Sequence, residues 1–198
     1  PRQTGKSTLL RASYPEAIWI DLLKTDELMR YLQRPALLRE ELEADASARL
    51  VVLDEIQKVP GLLDEVHWLI ENRGRMFVLC GSSARKVRRT HANLLGGRAV
   101  RRELLGLVSA EIGRDFDLVR MLNHGFLPRH YLAEDAGDRI RAYVNDYLRE
   151  EIAQEGLVRN LPAFSGFLSA AALSDGSIVN FASIARECGV SAPAVREY

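Results

Sequence analysis

Lys6, Ser7, Asp54 and Glu55 are the residues whose types and surroundings could do chemistry together. Gly5-Lys6-Ser7 closes the pattern Gly-x-x-x-x-Gly-Lys-[Ser/Thr], whose backbone N–H groups wrap a nucleotide's phosphates. On that reading Gln3, Thr4, Gly5, Lys6, Ser7 and Thr8 line the phosphates. The Lys6 ammonium reaches the β and γ oxygens, and the Ser7 hydroxyl binds Mg²⁺. The pattern's first Gly, and the strand that feeds such a loop, would fall ahead of Pro1. A bare Gly-Lys-[Ser/Thr] arises by chance in roughly one chain of this length in ten, so a second element must carry the argument. Leu50-Val51-Val52-Leu53-Asp54-Glu55 supplies it, as a buried strand delivering two carboxylates at its carboxyl end, where open α/β sheets bind ligands. Asp54 would hold Mg²⁺ through its shell, and Glu55 would activate the attacking water. The bland alternative is a buried strand that ends in a solvated acidic turn.

The elements that must position these residues follow from the apolar pattern. Ser7 to Ala12 reads as the helix whose amino end faces the phosphates, ended by Pro15. Residues 17–22 read as a strand, with Thr25 capping a helix through Leu32 that Pro35 interrupts. Leu62, Leu63, Val66, Leu69 and Ile70 recur at helical spacing up to Gly74. Met76 to Cys80 reads as the next strand, and the Gly81-Ser82-Ser83 turn behind it would place a hydroxyl, from Ser82 or Ser83, against the γ phosphate. Arg98, behind Gly96 and Gly97 and ahead of a strand expected from Ala99 to Leu104, is the candidate cation for the γ phosphate. Its bland alternative is a carboxylate partner such as Glu103 or Glu111.

Composition sets bounds. The 198 residues carry Lys+Arg 27 against Asp+Glu 27, so no global field recruits nucleic acid or an anionic membrane. The basic run Arg85, Lys86, Arg88, Arg89 and His91 has no interleaved aromatics to stack on bases and reads as a solvated face. Cys80 and Cys188 make neither a disulfide framework nor a metal cluster, which suits a cytoplasmic location. No apolar run is long enough to span a bilayer.

Together, Lys6-Ser7, Asp54-Glu55-Ile56-Gln57 with Pro60 behind it, Gly81-Ser82-Ser83, Gly97-Arg98 and Leu107-Val108-Ser109-Ala110-Glu111 carry a resemblance. The chain resembles a family of bacterial and archaeal AAA-type (AAA+) P-loop ATPases. Members join the ATPase domain to a carboxyl-terminal region of unassigned function with a winged-helix-like segment. The Glu-Ile-Gln run, the Gly-Arg turn and Tyr147-Leu148-Arg149-Glu150-Glu151-Ile152 are its more particular features. The resemblance implies ATP and Mg²⁺ as cofactors, nucleotide and magnesium binding at Lys6 and Ser7, hydrolysis served by Asp54 and Glu55, and Ser82 beside the phosphates.

The fold expected is therefore α/β, a P-loop parallel sheet with flanking helices and without its first strand over residues 1–112. A helical lid or connector follows over 113–172, and the start of a helix-turn-helix or winged helix over 173–198. In the last part a small residue at Ala185, a turn at Gly189, a cap at Ser191 and an apolar Val195 have the spacing that lets two short helices cross. Arg196 is its visible candidate for a DNA contact. Two functions compete: an ATP-hydrolysing switch or motor acting on a protein partner, alone or as an oligomer, and a nucleotide-gated regulator that binds DNA. Phosphotransfer to a small molecule is weaker, because Glu55 beside Asp54 suits activation of water.

Overall fold

The computed structural model describes residues 3–45, 49–81, 97–146 and 160–197. It forms two compact units, residues 1–121 with 125–131, and residues 122–124 with 132–198.

The first unit is built on a parallel sheet of strands β1 (Ile18–Asp21), β2 (Leu50–Asp54) and β3 (Met76–Leu79), in that spatial order. Parallel neighbours need crossovers, and helices supply them. α1 (Lys6–Ser13) precedes β1, α2 (Thr25–Gln33) and α3 (Leu37–Ala44) link β1 to β2, and α4 (Leu62–Arg73) links β2 to β3. Register sets Asp21 beside Asp54 and Leu53 beside Leu79. α4 ends as expected at Gly74, whose left-handed φ of 59° lets its own N–H donate to the Ile70 carbonyl and the Arg75 N–H to the Leu69 carbonyl. Thr25, expected as a cap, is instead the first residue inside α2, after Lys24.

Val51 and Leu53 are fully buried and pack in one cluster with Ile20, Leu38, Leu42, Leu62, Val66 and Leu69. Val52 is equally buried but lies outside that cluster. Side chains alternate across a strand, so Asp54 shares the face of Val52 and is turned away from α2, α3 and α4. The run of four apolar residues is thus a central strand packed on both faces, and the face bearing Val52 carries the carboxylate.

One expected element is not formed. Residues 99–104 carry no strand; Val100 is 77% exposed and Leu105 64%. An extended segment becomes a strand only by pairing, and no described strand pairs with this one. Beyond it come α5 (Ser109–Ile112), α6 (Leu118–His124) and α7 (Pro128–Tyr131). The Tyr131 hydroxyl accepts from the Asp117 N–H at 3.0 Å and donates to the Asp115 carbonyl at 3.3 Å, fixing the corner between them.

The second unit is helical, with α8 (Ala136–Asp146), α9 (Leu161–Leu173), α10 (Phe181–Cys188) and α11 (Ala192–Glu197). Asn160 caps α9 and Asn180 caps α10, each accepting backbone N–H groups at 3.1 Å. Ala170, Ile184, Ala185 and Val195 form a small core with Phe167, Cys188 and Val190. Gly189 turns the chain at φ 65°, and the Ser191 hydroxyl accepts from the Ala194 N–H at 3.4 Å. Of the positions picked out by spacing, Ala185 and Val195 are buried together, Gly189 makes the turn and Ser191 caps α11. The expected division between residues 172 and 173 falls at the end of α9, and this core is shared by α9, α10 and α11. The Tyr147-Leu148-Arg149-Glu150-Glu151-Ile152 run lies outside the described residues.

Candidate functional site

The loop ahead of α1 is the one the sequence picks out for phosphates. Gln3 and Gly5 both take left-handed conformations, at φ 63° and φ 87°. Gly5 needs no special allowance there, whereas Gln3 does, and non-glycine residues hold such angles where surrounding structure demands it. No side chain caps α1, and its first turn has no acidic residue, so its amino end presents N–H groups and the positive end of the helix dipole. Thr4 is 5% exposed, and its hydroxyl has no hydrogen-bond partner among the described residues. A buried hydroxyl left unsatisfied costs free energy that a phosphate oxygen would recover. Thr8 is exposed on the first turn of α1.

Asp54 completes the arrangement. It is 3% exposed, and its Oδ2 accepts from the Ser7 hydroxyl at 2.6 Å, joining residues 47 apart in sequence. Its Oδ1 accepts from the Glu55 N–H at 3.1 Å. The Cys80 thiol also hydrogen-bonds Asp54; burial, then the Asp54 charge, push that thiol up to about 12, while Lys6 acts on it in the opposite sense. Lys6, Ser7, Asp54, Glu55 and Cys80 are therefore gathered at one end of the sheet. Among the described residues no group of three acidic, His or Cys side chains could hold a metal alone. The Ser7–Asp54 pair nonetheless fits Mg²⁺, which characteristically takes one or two protein oxygens and fills its shell with phosphates and water.

Glu55 leaves the strand in a left-handed conformation, φ 57° and ψ 40°, directly ahead of a 3₁₀ turn at Ile56–Lys58. That kink turns Glu55 off the pleat of β2, while Asp54 stays on it. The Ile56 N–H donates to the Cys80 carbonyl at 3.1 Å and the Cys80 N–H donates to the Leu53 carbonyl at 2.9 Å, so β3 clamps the kink on both sides. The Gln57 side-chain amide donates to the Glu55 carboxylate. Sequence reasoning missed Cys80 and Gln57 as parts of the site. Pairing Leu53 with Leu79 would have shown that Cys80 falls opposite Asp54.

Arg98 is not brought to this cluster. It pairs with Glu71, and not with Glu103, which takes Arg101, or with Glu111, whose carboxylate accepts from the Val108 N–H at 2.9 Å. The Arg98 hydrogen bond and charge hold Glu71 below the usual carboxylate range. Glu71 lies in the last turn of α4, which leads into the starting end of β3, beside Leu50. Asp54 is four strand residues further on, roughly 13 Å at the strand rise. Ser82 and Ser83, the candidate phosphate sensors, and the basic run from Arg85 to His91 lie outside the described residues.

A family model described as an AAA domain matches residues 1–113. The chain belongs to the AAA domain family. Its three-stranded parallel sheet with flanking helices fits a P-loop-like fold, and the family assignment gives this domain a nucleotide-binding, ATPase-type function. Residues 115–198 match a domain of unknown function (DUF8612), which begins just past the AAA domain. None of the curated proteins and none of the solved structures compared with the chain matches it. No helix among the described residues is long and apolar enough to cross a membrane.

Proposed function

We propose that the chain hydrolyses ATP with Mg²⁺ and uses the cycle as a switch or motor. The observation that carries this reading is the 2.6 Å hydrogen bond from Ser7 to the buried Asp54 carboxylate, which unites the two motifs in one site. Gln3, Thr4, Gly5, Lys6, Ser7 and Thr8 would hold the phosphates, with the Lys6 ammonium on the β and γ oxygens. Ser7 and Asp54 would hold Mg²⁺, which when bound neutralises charge developing on the phosphates. Glu55, beside Asp54 but turned off the strand, would orient a water for in-line attack and take its proton. Ser82 would sense the γ phosphate from the turn behind β3.

The test is a pair of variants measured for nucleotide affinity and hydrolysis separately. Lys6→Ala should abolish tight ATP binding, because its ammonium is the charge that neutralises the β and γ oxygens. Glu55→Gln should keep ATP and Mg²⁺ bound while hydrolysis falls by roughly 10²-fold or more. Equal loss of binding in Glu55→Gln and Asp54→Asn would make the acidic pair structural.

A second reading, nucleotide-gated DNA binding, draws on the crossing of α10 and α11 about the left-handed Gly189, which supports a helix-turn-helix. Its candidate contact, Arg196, instead lies over the Phe181 ring at 5.3 Å. That stacking engages the guanidinium within the unit, so this reading stands second.

A further inference from the structure

The site holds one polar side chain that the mechanism above leaves without a role. Gln57 sits on the 3₁₀ turn two residues past Glu55, and its amide donates to Glu55 Oε2. On its far side Gln57 meets the backbone of Gly81, the residue that follows Cys80. A Cβ built on Gly81 would overlap Gln57 Oε1 and come within 3.2 Å of Gln57 Cδ. Gly81 is not among the glycines at positive φ, so the constraint there is one of space and not of backbone conformation. The same turn is fixed to β3 by the Ile56 N–H to Cys80 carbonyl bond of 3.1 Å. Gln57 is thus wedged between a carboxylate that needs aiming and a glycine that alone leaves it room.

We propose that Gln57 is a positioning residue for Glu55, and that Gly81 is glycine so that the Gln57 side chain can reach it. Glu55 has left the pleat of β2 in its left-handed conformation, and its carboxylate is held by the Gln57 amide. With the Gln57 amide on Oε2, Oε1 is left to accept from water in a fixed direction. Catalysis by a held base depends steeply on aim, and a misplacement of about 1 Å can cost roughly 10²-fold.

This inference rests on Glu55 being the base, and the experiment separates the two. The full-length protein is assayed for MgATP hydrolysis, for nucleotide affinity with a fluorescent ATP analogue, and for Tm. Gln57→Leu should lower kcat by roughly 10- to 10²-fold with KM and nucleotide affinity unchanged. Gly81→Ala, whose methyl has the movable end of Gln57 as its nearest described neighbour, should reproduce that loss at an unchanged Tm, and so carries the test even where Gln57→Leu folds poorly. Adding Gly81→Ala to Gln57→Ala should cost nothing further, since no side chain remains to be displaced. An unchanged or raised kcat in Gln57→Leu, or additive losses in the double variant, overturns the proposal. Full activity in Glu55→Gln would instead remove the base itself, and the proposal with it.

Discussion

Ser7→Ala is the sharpest probe of the assembled site, because Ser7 spans both motifs through a single atom. Its hydroxyl donates to Asp54 Oδ2 at 2.6 Å, and Asp54 is 3% exposed, so water cannot freely replace the lost donor. Asp54 would keep the Glu55 N–H on Oδ1 and the Cys80 thiol, which softens but does not cancel the loss. A hydrogen bond to a charged, buried group is worth about 1.5–3 kcal/mol. For a protein of this size that lowers Tm by roughly 4–8 °C, taking about 2 kcal/mol at about 2–4 °C for each. The same change removes one of two protein oxygens from the expected Mg²⁺ shell, so the magnesium concentration that half-saturates ATP binding should rise by about tenfold or more, one decade being about 1.4 kcal/mol. Calorimetric melting of the ligand-free protein reads the first effect, and magnesium titration at fixed nucleotide reads the second. Ser7→Thr keeps the hydroxyl and serves as the control. An unchanged Tm together with an unchanged magnesium titration would refute the argument, since it would mean that the Ser7–Asp54 bond neither stabilises the apo site nor foreshadows a metal shell.

Arg98→Ala should leave both nucleotide affinity and hydrolysis of the isolated chain near normal, because the guanidinium is held by Glu71 at the far end of the sheet from Asp54. Hydrolysis that is lost, and restored by mixing with a Lys6→Ala chain, would show that Arg98 reaches a neighbouring subunit's nucleotide. For Cys80 the sign of the pH effect follows from a folded value raised to about 12 above an ordinary value of 9.0. Its contribution to stability is complete below pH 9 and declines as pH climbs toward 12. Alkylation at pH 8.5 or so should accordingly mark Cys188, which is partly exposed, well before the buried Cys80; faster labelling of Cys80 would overturn the burial argument.

Local signals determined much of this protein. Two short motifs pointed to the proposed chemistry, because phosphate-wrapping loops and strand-end carboxylates are properties of a few consecutive residues. Strand and helix positions from β1 through β3 were legible from apolar periodicity, and the crossing of α10 and α11 from the small residue at Ala185 and the turn at Gly189. What tertiary structure alone decided is how separate segments meet. Which face of β2 bears Asp54 depends on which helices cover Val51 and Leu53, and the choice of Glu71 for Arg98 depends on where α4 ends. The strand expected at 99–104 failed for the same reason, since a strand exists only by pairing and the sequence of one segment does not name its partner. Gln57 became visible as the holder of Glu55 only once the chain was folded, because nothing local marks the glycine 24 residues later that leaves it room.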